Sequence, residues 1–194
     1  MAMTVEELIA REEIRTSILR HFRAADRLDI ELERKAFWED GHFINGPVEG
    51  PLTEFIGPLF SEILPSSFDL VTHYAQNMLI TLEGDAGFVE LYATAYHAIA
   101  DDPAVIAGVI GEAKFAEFGN DASRRYEMLV GVRYAIVMQR RAGEWRIYTM
   151  QPIIEWTRVQ HCDAITVGGL PAAMPTKVRK DRGDASYFGK DWIP

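Results

Sequence analysis

Five histidines, His21, His42, His73, His97 and His161, are the side chains of this sequence that exchange a proton near neutral pH. The single thiol, Cys162, has His161 as its immediate neighbour, pointing elsewhere, and reads as unreactive. No glycine-rich phosphate loop, nucleophile elbow or metal-ligand cluster occurs. Taken alone, His73 reads as a structural histidine on a half-buried strand, and Asp26 as a water-facing aspartate at a helix end. Asn77 shares strand parity with His73, which suits either the same pocket or a sheet-edge hydrogen bond. Strand alternation puts only one of Tyr96 and His97 inside. Arg133 interrupts an apolar run, either as a pocket cation for an anionic or oxygen-rich substrate or as the exposed face of its strand. Trp38, Phe43, Trp145 and Trp156 read as core or cavity lining, and His42 and His161 as surface residues.

These residues need elements to hold them. From Thr4 to Leu28 apolar residues recur at helical spacing, and Thr4 with Glu7 forms a capping-box start. A second helix is expected from Ile30 to Trp38, a turn framed by Pro47 and Pro51, and a third helix from Leu52 to Leu64, stopped by Pro65. Val71 to Glu83 and Gly87 to Ile99 then read as an antiparallel hairpin turning at Gly84-Asp85. Arg125 to Arg140 and Trp145 to Val159 read as a second hairpin, turning at Ala142-Gly143-Glu144. Between the hairpins, Asp101 to Ser123 suits a helix-containing flap over a pocket mouth. Helices first and long antiparallel strands later is an α+β pattern, with the helices covering one sheet face.

At 194 residues one domain is the default. Twenty Lys and Arg against 29 Asp and Glu leave a net charge of −9, which argues against nucleic acid as a partner. The one basic run, Lys177, Arg179, Lys180 and Arg182, is broken by Asp181 and reads as a solvated tail. The apolar runs are too short to span a membrane, and the Glu-rich start is unlike a secretory signal, so a cytoplasmic location is expected.

Five local strings, in order, resemble the SnoaL-like branch of the nuclear-transport-factor-2-like superfamily. They are Arg11-Glu12-Glu13-Ile14-Arg15; Ala24-Ala25-Asp26-Arg27-Leu28-Asp29; Phe37-Trp38-Glu39-Asp40; Thr72-His73-Tyr74-Ala75-Gln76-Asn77 with its Gly84-Asp85 turn; and Gly131-Val132-Arg133-Tyr134 through Arg146-Ile147. The resemblance implies a cone-shaped α+β barrel over residues 1–160. Its curved, mostly antiparallel sheet and N-terminal helices enclose an apolar pocket; beyond the resemblance, Gly and Pro accumulate in residues 161–194, which are expected to form an arm on the body or on a neighbouring subunit. In the family's enzymes a strand histidine and a helix aspartate form the catalytic pair, which implies His73 and Asp26 here, with His97 resembling a second histidine. Where relatives often carry Tyr or Lys as a donor to the leaving group, this chain has His21. Where they often carry Asp in the closing hairpin, it has Ile136. The implied function is a cofactor-free lyase of the dehydratase kind, acting on a hydrophobic cyclic small molecule such as a polyketide, steroid or aromatic-degradation intermediate. His21, Trp38, Asn77, Tyr96 and Arg133 would bind that substrate, and the assembly would be a homodimer or homotrimer. An isomerase or cyclase, a ligand-binding protein, and a dioxygenase small subunit are the alternatives.

Overall fold

Helix α1 (Val5–Arg27) begins with the expected capping box. The Thr4 hydroxyl accepts from the Glu7 amide at 3.2 Å, and the Glu7 carboxylate accepts from the Thr4 amide at 2.9 Å. Its buried stripe runs through Ala10, Ile14, Ile18 and Phe22 and carries two polar members, Ser17 and His21. The helix stops at Leu28, which adopts a left-handed conformation (φ 53°). Asp29 then caps helix α2 (Ile30–Ala36) by accepting from the Leu32 amide at 3.1 Å. A reversal this short folds α2 back along α1 and brings side chains of the two helices face to face.

The computed structural model describes residues 3–45, 48–162, 173 and 178–187. Six strands form one curved, unclosed sheet in the order β2-β1-β6-β5-β4-β3. They are β1 (Phe37–Asn45), β2 (Val48–Pro51), β3 (Phe68–Glu83), β4 (Ala86–Ile99), β5 (Tyr126–Arg141) and β6 (Glu144–His161). Neighbours are antiparallel except β1 and β6. The β3–β4 hairpin turns at Gly84 and the β5–β6 hairpin at Ala142 and Gly143. All three residues have positive φ, as tight hairpins demand.

Three expectations fail between Ile30 and Ser67. Phe37 and Trp38 do not extend the second helix but open β1, and the segment framed by Pro47 and Pro51 includes strand β2. Register shifts between Phe37 and His42, so β1 lacks the strict alternation that marks a strand in sequence. Nor does Pro65 stop the third helix. Helix α3 (Leu52–Pro58) passes through a π-helical turn (Leu59–Ile63) into α4 (Leu64–Ser67), where Pro65 lies in the first turn and its missing amide costs little.

Helix α1 packs on the concave face, where Ile14, Ile18, Leu91, Met138, Ile147 and Met150 are fully buried together. Gly87 permits that approach, since a Cβ there would come within 2.9 Å of Ile14 Cδ1. Between the hairpins, α5 (Pro103–Ile110) and α6 (Glu112–Glu117) supply Ile106 and Phe115 to a separate small core with Ile99 and Tyr126.

Much of the C-terminal arm, including Lys177, lies outside the described residues. The described part, 178–187, touches the α1–α2 corner. Tyr187 donates to Asp29 at 2.8 Å, Arg23 donates to Ser186 at 3.1 Å, and Lys180 donates to the Phe68 carbonyl. Among the described residues no helix is long and apolar enough to cross a membrane.

Candidate active site

Between α1, the α3–α4 segment and the concave face lies a cavity of about 310 Å³, at the small end of the range for ligand pockets. Its wall is largely apolar, with Phe43, Leu59, Leu64, Val71, Val130 and Val132 among the lining residues. Against that wall stand His21, His73, His97 and Tyr134, and among the described residues no lysine or arginine lines it.

His73 is oriented by Asp26. The ring Nδ1 donates to Asp26 Oδ1 at 2.7 Å, and the backbone amide of His73 donates to the same carboxylate at 3.1 and 3.2 Å. Holding Nδ1 in this way leaves Nε2 as the nitrogen available to a substrate. The Phe22 ring stacks on His73, with centroids 5.0 Å apart, and fixes its plane. His97 stands edge-on to His73 at 6.3 Å and packs on Phe68. Its Nδ1 is buried without a hydrogen-bond partner among the described residues, and burial, reinforced by repulsion from His73, pushes its pKa down to about 4. His97 is therefore neutral at pH 7.

Two polar groups, one lining this wall and one bonded to a lining residue, escaped the sequence reading. Tyr134 has no hydrogen bond among the described residues, and burial, helped by the negative Asp26, pushes its phenol well above the usual range. It stays a donor. Its signal was its parity with the inward-facing Val130, Val132, Ile136 and Met138 of β5. The other group is Glu33 on α2, 2% exposed, whose two carboxylate oxygens lie 2.8 and 2.9 Å from His21 Nδ1. Its signal was spacing, because Glu33 precedes the core residue Ala36 by one helical turn.

The structure thus brings Asp26, His73, His97 and His21 together, and it places the other four expected residues elsewhere. Trp38 donates to the Gln139 carbonyl at 2.9 Å and packs against Arg141 and Arg146. Asn77 is exposed, because a register shift between Ala75 and Met78 reverses the facing of β3, turning Met78 and Ile80 inward. Alternation on β4 sends His97 inward and Tyr96 outward, where its hydroxyl donates to Glu127 at 2.9 Å. Arg133 lies on the outer face, paired with Glu90 at 3.3 Å and Glu155 at 3.1 Å. No residue of 101–123 lines the cavity, since α5 and α6 pack in their own core, and the wall expected of that flap comes from Leu59 to Phe68.

Among the described residues no group of three or more His, Cys, Asp or Glu is placed to hold a metal ion. The arrangement suits abstraction of a proton from carbon by His73, with neutral or cationic donors close by for an oxygen.

Known structures share this architecture. Hexachlorocyclohexane dehydrochlorinase LinA-type3 from Novosphingobium barchaimii superposes with a TM-score of 0.63 at 13% identity, covering 83% of this chain and 95% of its own. A candidate scytalone dehydratase from Novosphingobium aromaticivorans gives 0.63 at 15% identity, covering 86% and 100%. An NTF2-like superfamily protein from Salmonella enterica gives 0.57 at 15%, covering 81% and 96%. At such identities the likeness is one of fold. No curated protein matches the chain. Residues 6–151 match the SnoaL-like domain, and the chain belongs to that family.

Proposed function

We propose that the protein is a cofactor-free lyase that eliminates water, or a comparable small leaving group, from a neutral cyclic substrate. The observation that carries this reading is the 2.7 Å contact between His73 Nδ1 and Asp26 in the wall of an apolar cavity. His73 Nε2 takes the proton from the carbon beside an activating carbonyl. The electron pair released forms the new double bond as the carbon–oxygen bond breaks, and the departing oxygen takes a proton from His21. Asp26 stabilises the imidazolium formed on His73, and the Tyr134 hydroxyl donates to the carbonyl oxygen as it gains charge. The absence of lysine and arginine among the described lining residues favours an uncharged substrate over a carboxylate. The shared fold with a dehydrochlorinase agrees with elimination chemistry.

The test uses 3-hydroxy-1-tetralone, a neutral two-ring β-hydroxy ketone that aromatises on losing water. Mass spectrometry should find the dehydrated product, formed by the wild-type chain and not by His73→Ala. A product of unchanged mass would mark the protein as an isomerase. Equal, unaccelerated rates with both chains would point to a binding protein.

The outer sheet face carries exposed Leu79, Phe88 and Trp156, and this proposal includes a homodimer or homotrimer that covers it.

A further inference from the structure

The cavity is lined by the histidine of a second histidine–carboxylate pair, of different origin from the first. Asp26 reaches from α1 to His73 on β3, whereas Glu33 reaches from α2 back to His21 on α1. Both Glu33 oxygens face the one ring nitrogen, and no other side chain or amide among the described residues bonds them. A carboxylate sealed from water in this way has no solvent to stabilise its charge. When the ring carries a second proton, the two groups form an ion pair in which neither buried charge is left alone. The His21 Nε2 has no partner among the described residues, and the ring lines the cavity. The ring lies 5.6 Å from that of Phe22, which also stacks on His73, so one aromatic side chain joins the two pairs.

We infer that Glu33 is a positioning residue that turns His21 into the proton donor of this site, so that two oppositely employed histidine–carboxylate pairs share one cavity. The inference rests on the lyase reading above and adds to it the residue that selects which histidine gives a proton. His73 removes one proton from carbon and His21 returns one to the leaving oxygen, which departs as water. Exchange with solvent after product release resets both rings. Glu33 never touches the substrate. It fixes the ring by Nδ1, so the proton leaves from Nε2. The ionisable groups facing His21 across the cavity are His73 with Asp26, His97 and Tyr134.

The experiment compares the full chain with Glu33→Met, which replaces the buried carboxylate by an apolar side chain of similar length, and with Glu33→Gln, which keeps the shape and removes the charge. Turnover is measured on 3-hydroxy-1-tetralone, and the His21 ring is followed by its imidazole 15N resonances without substrate. The expected result is a fall in kcat of about ten- to a hundredfold in both variants, within the reach of general-acid catalysis, with KM changed less than about threefold. The Nδ1 resonance of the His21 ring should lose the signature of a charged hydrogen-bond acceptor in both, and a purely structural role for Glu33 would not move it in folded Glu33→Gln. In a His21→Gln background Glu33→Met should cost almost nothing more. Should Glu33→Met fail to fold, Glu33→Gln carries the same test. If the wild-type chain turns the ketone over and the folded variants match it, the role of Glu33 is overturned and the lyase reading stands. If the wild-type chain leaves the ketone untouched, the lyase reading falls and the assigned role falls with it.

Discussion

His97 should make the protein lose stability in mild acid, by an amount that follows from its position. Its pKa is pushed down to about 4, first by burial and then by His73, whereas an imidazole in the unfolded chain titrates near 6.5. Between those two values the unfolded chain binds the proton and the folded chain does not. Stability therefore rises with pH across the window and is lost as pH falls through it. A displacement of about two and a half pKa units limits the loss to about 3 kcal/mol, and about 2 kcal/mol of that falls between pH 7 and pH 5. Urea unfolding at those two pH values should thus show the wild-type midpoint falling by roughly 1 M. His97→Leu, which removes the titrating group, should show a midpoint almost level over the same range. Equal pH dependence in the two proteins, or a His97 ring that titrates near 6.5 by NMR, would refute the argument.

Three further outcomes follow from packing and contacts. Ile18→Ala opens a void in the fully buried contact of α1 with the sheet and should lower stability by about 2–5 kcal/mol in chemical denaturation, with smaller losses indicating local collapse. Leu79→Asp, at the exposed apolar patch of the outer sheet face, should shift the light-scattering mass toward the monomer at micromolar concentration. A monomeric wild-type chain would remove the proposed assembly. Tyr187→Phe strips the buried Asp29 of its 2.8 Å partner and should cost about 1–2 kcal/mol by urea titration, whereas an unchanged midpoint would mean that the 178–187 segment adds nothing to the α1–α2 corner.

Much of this architecture is legible where local chemistry and global packing agree. The Thr4–Glu7 capping box, the stripe from Ala10 to Phe22 and the Gly84 and Gly143 turns each encode their element over a few residues. The pairing of Asp26 with His73 comes from resemblance, since nothing in their separation of 47 positions fixes a contact. What the sequence conceals is long-range. The facing of Asn77 depends on a bulge that no residue type announces, and β1 is ordered by pairing with β6 from the far end of the chain. Arg133 breaks an apolar run because the outer sheet face offers it Glu90 and Glu155, carboxylates from two neighbouring strands. Glu33 needs the left-handed Leu28 to meet His21, and that turn is unusual for a leucine.

The central claim is that Asp26 and His73 act as one base, and a double-mutant comparison on 3-hydroxy-1-tetralone tests it most directly. Asp26→Asn and His73→Ala should each lower kcat by about two to four orders of magnitude, with the double substitution scarcely worse than the weaker single variant. Losses that multiply, or a folded His73→Ala variant with wild-type turnover, would contradict it.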